Sequence, residues 1–170
     1  MLVRALTPDD ASSFQSLRLF ALQESPASFA SRYDDEKDRS RDDIAERLIA
    51  SENQTVFGAF EEERIVGIAG VRRDLFREHR HKAHLWGMYV APDQRGAGVS
   101  RLLMAHAIRF AKQMPGVTQL NLTVASDNAI AFALYRSIGF EEIGRECASL
   151  FADDSPADDI LMCLRFTPPR

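Results

Sequence analysis

The chain has 170 residues, 45% of them hydrophobic, which suits one globular domain that buries a core without staples. Its formal net charge of -4 disfavours a nucleic-acid partner, which needs a basic face to displace condensed counterions. Arg4, Asp9, Asp10 and Arg18 interrupt any leader-like apolar run near the start, and no stretch approaches the roughly 20 apolar residues that span a bilayer, so a cytoplasmic protein without a membrane partner is expected.

In chain order, a short strand near Val3 comes first. Thr7-Pro8-Asp9-Asp10 reads as a helix start, with a capping hydroxyl, a proline in the first turn and acids that favour the dipole. The helix carries Phe14, Leu17 and Ala21 at helical spacing and stops near Ser25-Pro26. A polar, charged stretch from 31 to 41 comes next, and then Ile44, Leu48 and Ile49 mark a second helix with Ser40 as its cap. Residues 55–60 and 65–71 are two β-rich runs joined through Glu61, Glu62, Glu63 and Arg64, as in a hairpin. Another strand, 85–90, ends at Ala91-Pro92-Asp93. Val99, Leu103, His106 and Phe110 restore the helical period until Pro115-Gly116. A strand at 120–124, a helix at 128–138 stopped by Gly139, and strands at 140–145 and 160–166 complete the chain. The two cysteines, Cys147 and Cys163, match no metal spacing and no disulfide framework; both read as small buried apolar side chains.

This order describes one α/β (α+β) domain over 1–170. Its central sheet is mixed and mostly antiparallel, with six or seven strands and about four flanking helices, and one β-α-β crossover comes after Val90.

The crossover holds the most informative segment, Arg95-Gly96-Ala97-Gly98-Val99-Ser100, between a strand and a helix. Glycines there let the backbone turn sharply and aim several N–H groups one way, with a helix dipole behind them, which makes a seat for phosphate or pyrophosphate. A dinucleotide fingerprint needs a third glycine where Arg101 stands, and a P-loop needs a lysine that the loop lacks. Taken alone, the loop fits a phosphate seat or a plain tight turn.

After its strand, this segment resembles the coenzyme A pyrophosphate loop of the GNAT acetyltransferase superfamily. Arg95 and Gly98 match that pattern, while Ser100 replaces the usual glycine or alanine but keeps its backbone N–H. A second string resembles the same superfamily: Asn128, Ala131, Leu134, Tyr135, Gly139 and Phe140 fill its later motif. By spacing alone, Asn128 is a cap-region residue and Tyr135 a core aromatic. The segment from Arg18 to Pro26 and the string from Asp158 to Met162 resemble the first helix and last strand of bacterial-type members.

The resemblance implies that backbone amides around Gly96, Ala97, Gly98, Val99 and Ser100, with Arg95, hold the pyrophosphate of acetyl-CoA. It implies that the Met88, Tyr89 and Val90 backbone pairs with the pantetheine arm, that Asn128 contacts the cofactor region, and that Tyr135 protonates the departing thiolate. Where many members place a glutamate base, this chain has His84, which alternates with Trp86, Met88 and Val90 and so is expected to share one strand face with them. A strand-edge histidine without catalytic duty fits the same position, and His106 reads as a half-buried helix residue. The acids Asp34, Asp35, Glu36, Asp153, Asp154, Asp158 and Asp159 would form an attracting rim for a protonated amine, or simply a solvated surface.

The expected activity is N-acetyl transfer from acetyl-CoA to a primary amine, of a small molecule or of a protein N-terminus or lysine, by direct attack in a ternary complex. The alternative is a non-catalytic acyl-CoA-binding sensor. No metal is expected, and the resemblance implies a homodimer paired through the last strands.

Overall fold

The computed structural model of the chain describes residues 1–152 and 155–166. Leu2–Ala5 forms β1, and a 3-10 turn at Pro8–Asp10 runs into α1, Ala11–Glu24. Asp10 ties the two together, because its carboxylate accepts from the Thr7 backbone N–H and from Arg4, each at 2.8 Å. Helix α1 buries Phe14, Leu17, Arg18, Ala21 and Leu22 and ends at Ser25, the residue before a proline.

The polar stretch beyond it holds a helical turn the sequence did not suggest: α2, Tyr33–Glu36. The reason is electrostatic. Glu36 is buried and accepts hydrogen bonds from Ser31 Oγ at 2.6 Å, Arg18 Nη2 at 3.1 Å and Arg47 Nη1 at 3.2 Å. Arg47 closes α3, Arg41–Arg47, whose start is capped by Ser40 Oγ accepting from the Asp43 N–H at 3.1 Å. One carboxylate thus fastens three helices.

The strands β2 (Gln54–Glu61), β3 (Arg64–Arg73), β4 (Lys82–Val90), β5 (Gln119–Ala125), β6 (Glu141–Ala152) and β7 (Ser155–Arg165) join β1 in one sheet, ordered β1-β2-β3-β4-β5-β7-β6. All neighbours are antiparallel except β4 and β5, which lie parallel on either side of α4, Val99–Gln113. This is the expected crossover. Helix α5, Ala129–Ile138, comes after β5 and ends at Gly139, whose φ is 113°. The last two strands run well beyond the apolar positions that marked them, through charged residues such as Glu146 and Asp158, because each pairs with the other along most of its length. Helix α4 packs Leu103, Met104, Ala107 and Ala111 into the core, while α1 covers β3. Cys163 is buried as expected, but Cys147 lies exposed on β6, contrary to the expectation for it.

Two irregularities open the sheet. First, β4 pairs with β5 only at Lys82, Ala83 and His84, opposite Gln119, Leu120 and Asn121; the strands then part. Second, β4 carries a bulge, since Ile68 faces Tyr89 while Gly70 faces Trp86, which sets Gly87 and Met88 against Ala69 alone. Gly87 takes the required positive φ, 63°. The bulge reverses the alternation beyond it. His84 and Trp86 share a face, but Tyr89 continues that face in place of Met88 and Val90, so the regular pattern expected from sequence is corrected.

Burial pushes the Glu36 carboxyl upward, but Ser31 and Arg18, with the Arg47 charge, outweigh it and bring it from 4.5 to about 2. A folded value below the unfolded one contributes stability that is present above about pH 4.5 and lost as pH falls towards about 2. The urea midpoint of the wild type is expected to fall as pH drops across that window. Glu36→Gln, which leaves Arg18 buried without its counter-charge, should lose about 3–5 kcal/mol at neutral pH and show a flatter acid slope.

Candidate active site

Where β4 and β5 part, the sheet opens into a cleft. Its first chamber, with a volume of about 680 Å³, lies between the Leu85–Val90 part of β4 and the far end of β5, with Arg95, Gly96, Ser100, Asn128, Leu134 and Tyr135 on its walls. Backbone polar groups that would have paired across the two strands line this chamber instead.

The glycine turn sits at its mouth. Gly96 and Gly98 have φ of 80° and 81°, and a Cβ built on either would meet no atom within 4 Å. The turn is therefore left-handed backbone beside open space, as a close-approaching ligand requires. Gly98 is the N-cap of α4, whose first bond back to it is from the Leu102 N–H at 3.2 Å, so the N–H groups of Val99, Ser100 and Arg101 have no intrahelical acceptor. These donors and two unfilled Cβ positions fit a pyrophosphate. Ala97 is exposed beside them, whereas the Val99 side chain is buried in the core and can offer only its backbone.

Arg95 has a partner that the sequence did not announce. Its Nη2 and Nη1 donate to Glu24 at 2.8 and 3.2 Å, and its Nε donates to the Val90 carbonyl at 3.1 Å. The Tyr89 hydroxyl donates to the same Glu24 at 2.9 Å. Arg95 and then Ser25 hold the Glu24 carboxyl down at about 2, while burial and the adjacent carboxylate push Tyr89 up to about 12. The end of α1 is thus strapped to the glycine turn.

Tyr135 is 6% exposed, with its ring 5.9 Å from that of Phe140, and burial pushes its hydroxyl up to about 12. Asn128 lines the chamber, yet its Oδ1 accepts from the Ala131 N–H at 3.1 Å, so its side chain caps α5. Met88 and Val90 lie on the chamber wall with Tyr89.

A second chamber of about 560 Å³ shares Leu85, Trp86, Gly87, Leu122 and Thr123 with the first, so the two meet at the bulge. His84 lines it, and His84 Nε2 lies 2.8 Å from Asp74 Oδ2 at the end of β3. Sequence reasoning misses Asp74 because nothing local pairs it with a histidine ten positions later. Of the acids expected to form a rim, Asp159 lines this chamber. Asp34 pairs with Lys37 at 2.7 Å, Asp35 accepts from the Arg32 N–H at 2.9 Å, Glu36 is buried, and Asp158 accepts from the Ala148 N–H at 2.8 Å. Asp153 and Asp154 lie outside the described residues. His106 packs on Phe57 with ring centres 5.5 Å apart, among the helix and strand residues away from the cleft.

The sequence and the fold are similar to those of known proteins. The chain is 36% identical over 98 residues to the N-alpha-acetyltransferase RimI of Mycobacterium tuberculosis, spanning 58% of this chain and 59% of that relative. It therefore covers under two thirds of the length of such curated relatives. Among solved structures, a GNAT-family acetyltransferase of Streptococcus pneumoniae superposes with a TM-score of 0.86 at 24% identity, over 98% of this chain and 99% of that one. Salmonella typhimurium yncA, solved with its cofactor acetyl-CoA, superposes with a TM-score of 0.84 at 19% identity, over 100% of this chain and 96% of that one. The model of the acetyltransferase (GNAT) family matches residues 17–140, a span that takes in the glycine turn, both parted strands and Tyr135. The chain belongs to the GNAT acetyltransferase family.

Proposed function

We propose that the chain is an N-acetyltransferase that moves an acetyl group from acetyl-CoA to a primary amine by direct attack in a ternary complex. The observation that carries this is the pair of chambers meeting at Gly87, one beside the glycine turn and Tyr135, the other beside His84 and Asp74. Family membership and the acetyl-CoA held by yncA support the donor. The name of the mycobacterial relative supports an amine acceptor, with a protein N-terminus or lysine and a small-molecule amine both in scope.

Acetyl-CoA supplies an acyl group already activated as a thioester. The residues of the chain then have three tasks. The N–H groups around Gly96, Ala97, Gly98, Val99 and Ser100 seat the pyrophosphate, and Arg95, held by Glu24, fixes the turn in place. The parted edge of β4 at Met88, Tyr89 and Val90 pairs with the amides of the pantetheine arm, as an added strand pairs with a sheet edge. Proton movement falls to two side chains. As the new C–N bond forms and the C–S bond breaks, His84 takes the proton from nitrogen, directly or through water, and Tyr135 Oη gives one to sulfur. Asp74 orients the His84 ring, and Asn128 holds the start of α5 against the chamber. The same proposal places the protein in the cytoplasm and pairs two copies through β6, the last strand in the sheet order.

Calorimetry should show acetyl-CoA binding by the wild type and none by Gly98→Glu, because an anionic side chain would fill the open space beside the turn at a φ that only glycine adopts easily. Absence of binding by the wild type would overturn the donor assignment. Tyr135→Phe should bind acetyl-CoA normally yet lose about 100-fold in kcat, read as release of free thiol. A similar loss of about 100-fold in kcat/KM is expected for His84→Ala, with a smaller one for Asp74→Asn. If both variants turned over at the wild-type rate, the proton from the amine would leave by another route.

A further inference from the structure

We propose that Arg18 is a carboxylate seat, so that the preferred acceptor is a small amine carrying a free carboxylate a few bonds from its nitrogen. This rests on the acetyltransferase proposal and narrows its acceptor. Arg18 lies on α1 and is 5% exposed. Its Nη2 is fully engaged, donating to Ser31 Oγ at 2.9 Å and Glu36 Oε1 at 3.1 Å. Its Nη1 and Nε are buried and make no hydrogen bond among the described residues. Buried donors of a guanidinium normally find acceptors, and an unmatched one in a cavity wall marks a place for a group that arrives later.

Three observations identify that group. Phe29 covers the guanidinium face, with Cζ 4.7 Å from its ring centre, which leaves the Nη1 edge to point towards β4. There Gly87 carries no side chain, and a Cβ built on it would stand 3.5 Å from Nη1, in contact with this edge. Arg18 and Gly87 both line the acceptor chamber. The charge is also unbalanced: Arg18 and Arg47 surround a single carboxylate, Glu36, leaving one positive charge in excess within this cluster. An anion satisfies both the empty donor and the excess charge, where a neutral carbonyl would satisfy only the donor. Asp159 and His84 line the same chamber and suit the amine end of such a molecule. Because Gly87 also borders the donor chamber, a carboxylate held there leaves the nitrogen only a few bonds from the acyl group, as in an amino acid.

The test uses wild-type protein and three matched series: common L-amino acids, their amides, and the corresponding decarboxylated amines, with a short N-terminally free peptide amide beside them. Thiol release and the acetylated product by mass spectrometry are read together. A carboxylated acceptor should exceed its own amide and amine by about tenfold or more in kcat/KM, mainly through KM. Arg18→Gln should erase that preference while acetyl-CoA still binds by calorimetry; a purely structural role would lower turnover of all series alike. Equal or better use of the amides, the plain amines or the peptide would overturn the carboxylate seat and leave the acetyltransferase proposal standing. No turnover of any carboxylated amine would also overturn it, and failure to bind acetyl-CoA would remove both proposals together.

Discussion

The brief contact between β4 and β5 governs this molecule. Strand β5 is committed to β7 along its whole length, from Gln119 opposite Arg165 to Ala125 opposite Asp159. Strand β4 is committed to β3, and its bulge at Gly87 turns it away after His84. Neither strand can satisfy the other beyond three pairs, so each presents an unpaired edge to a cleft instead of to bulk water. The helices after these strands, α4 and α5, start at the open end of the gap. Their N-termini and the parted edges therefore belong to one site, as expected where the direction of strand connection changes in a mixed sheet.

Helix α1 lines the second chamber through Arg18 and holds the glycine turn through Glu24. Arg18 stands at the acceptor side and Glu24 at the glycine turn, six residues apart, or about 9 Å along a helix. Glu36 fixes the first end of this rod and Arg95 the second. A buried charged cluster is poor evidence for stability in itself, because desolvation offsets much of its attraction. Its effect here is geometric: it sets the turn at Pro26–Ser28 and the neighbouring Phe29 as one wall of the second chamber.

Much of this is legible in the residues. Strong periodicity and clear stop signals mark α4, α5 and the β2–β3 hairpin, and the glycine turn declares itself by composition and position. What local pattern cannot carry is any feature made by distant partners. The α2 turn exists because Glu36 meets Arg18 and Arg47, and the long β6–β7 ribbon exists because two charged segments pair with each other. Asp74, Glu24 and the empty edge of Arg18 become visible only in three dimensions. Gly87 is a middle case: a lone glycine inside a strand pattern does suggest a bulge, yet regular alternation carried across it puts Met88 and Val90 on the wrong face.

The same distinction applies to charge. An acidic composition suggests a negatively charged rim, but several acids are paired with a cation instead: Asp10 with Arg4, Glu24 with Arg95, Asp34 with Lys37, Glu36 with two arginines. What remains to act on a ligand is set by burial. Tyr135 keeps its proton up to about 12 because a phenolate there would be poorly solvated, so at neutral pH it can give a proton but is not poised to take one. His84, on the other side of Gly87 and held by Asp74, faces the chamber from which an amine would come. In the proposed reaction a proton is removed on one side of the bulge and delivered on the other. The fold separates those two tasks by the same strand irregularity that opens the cleft.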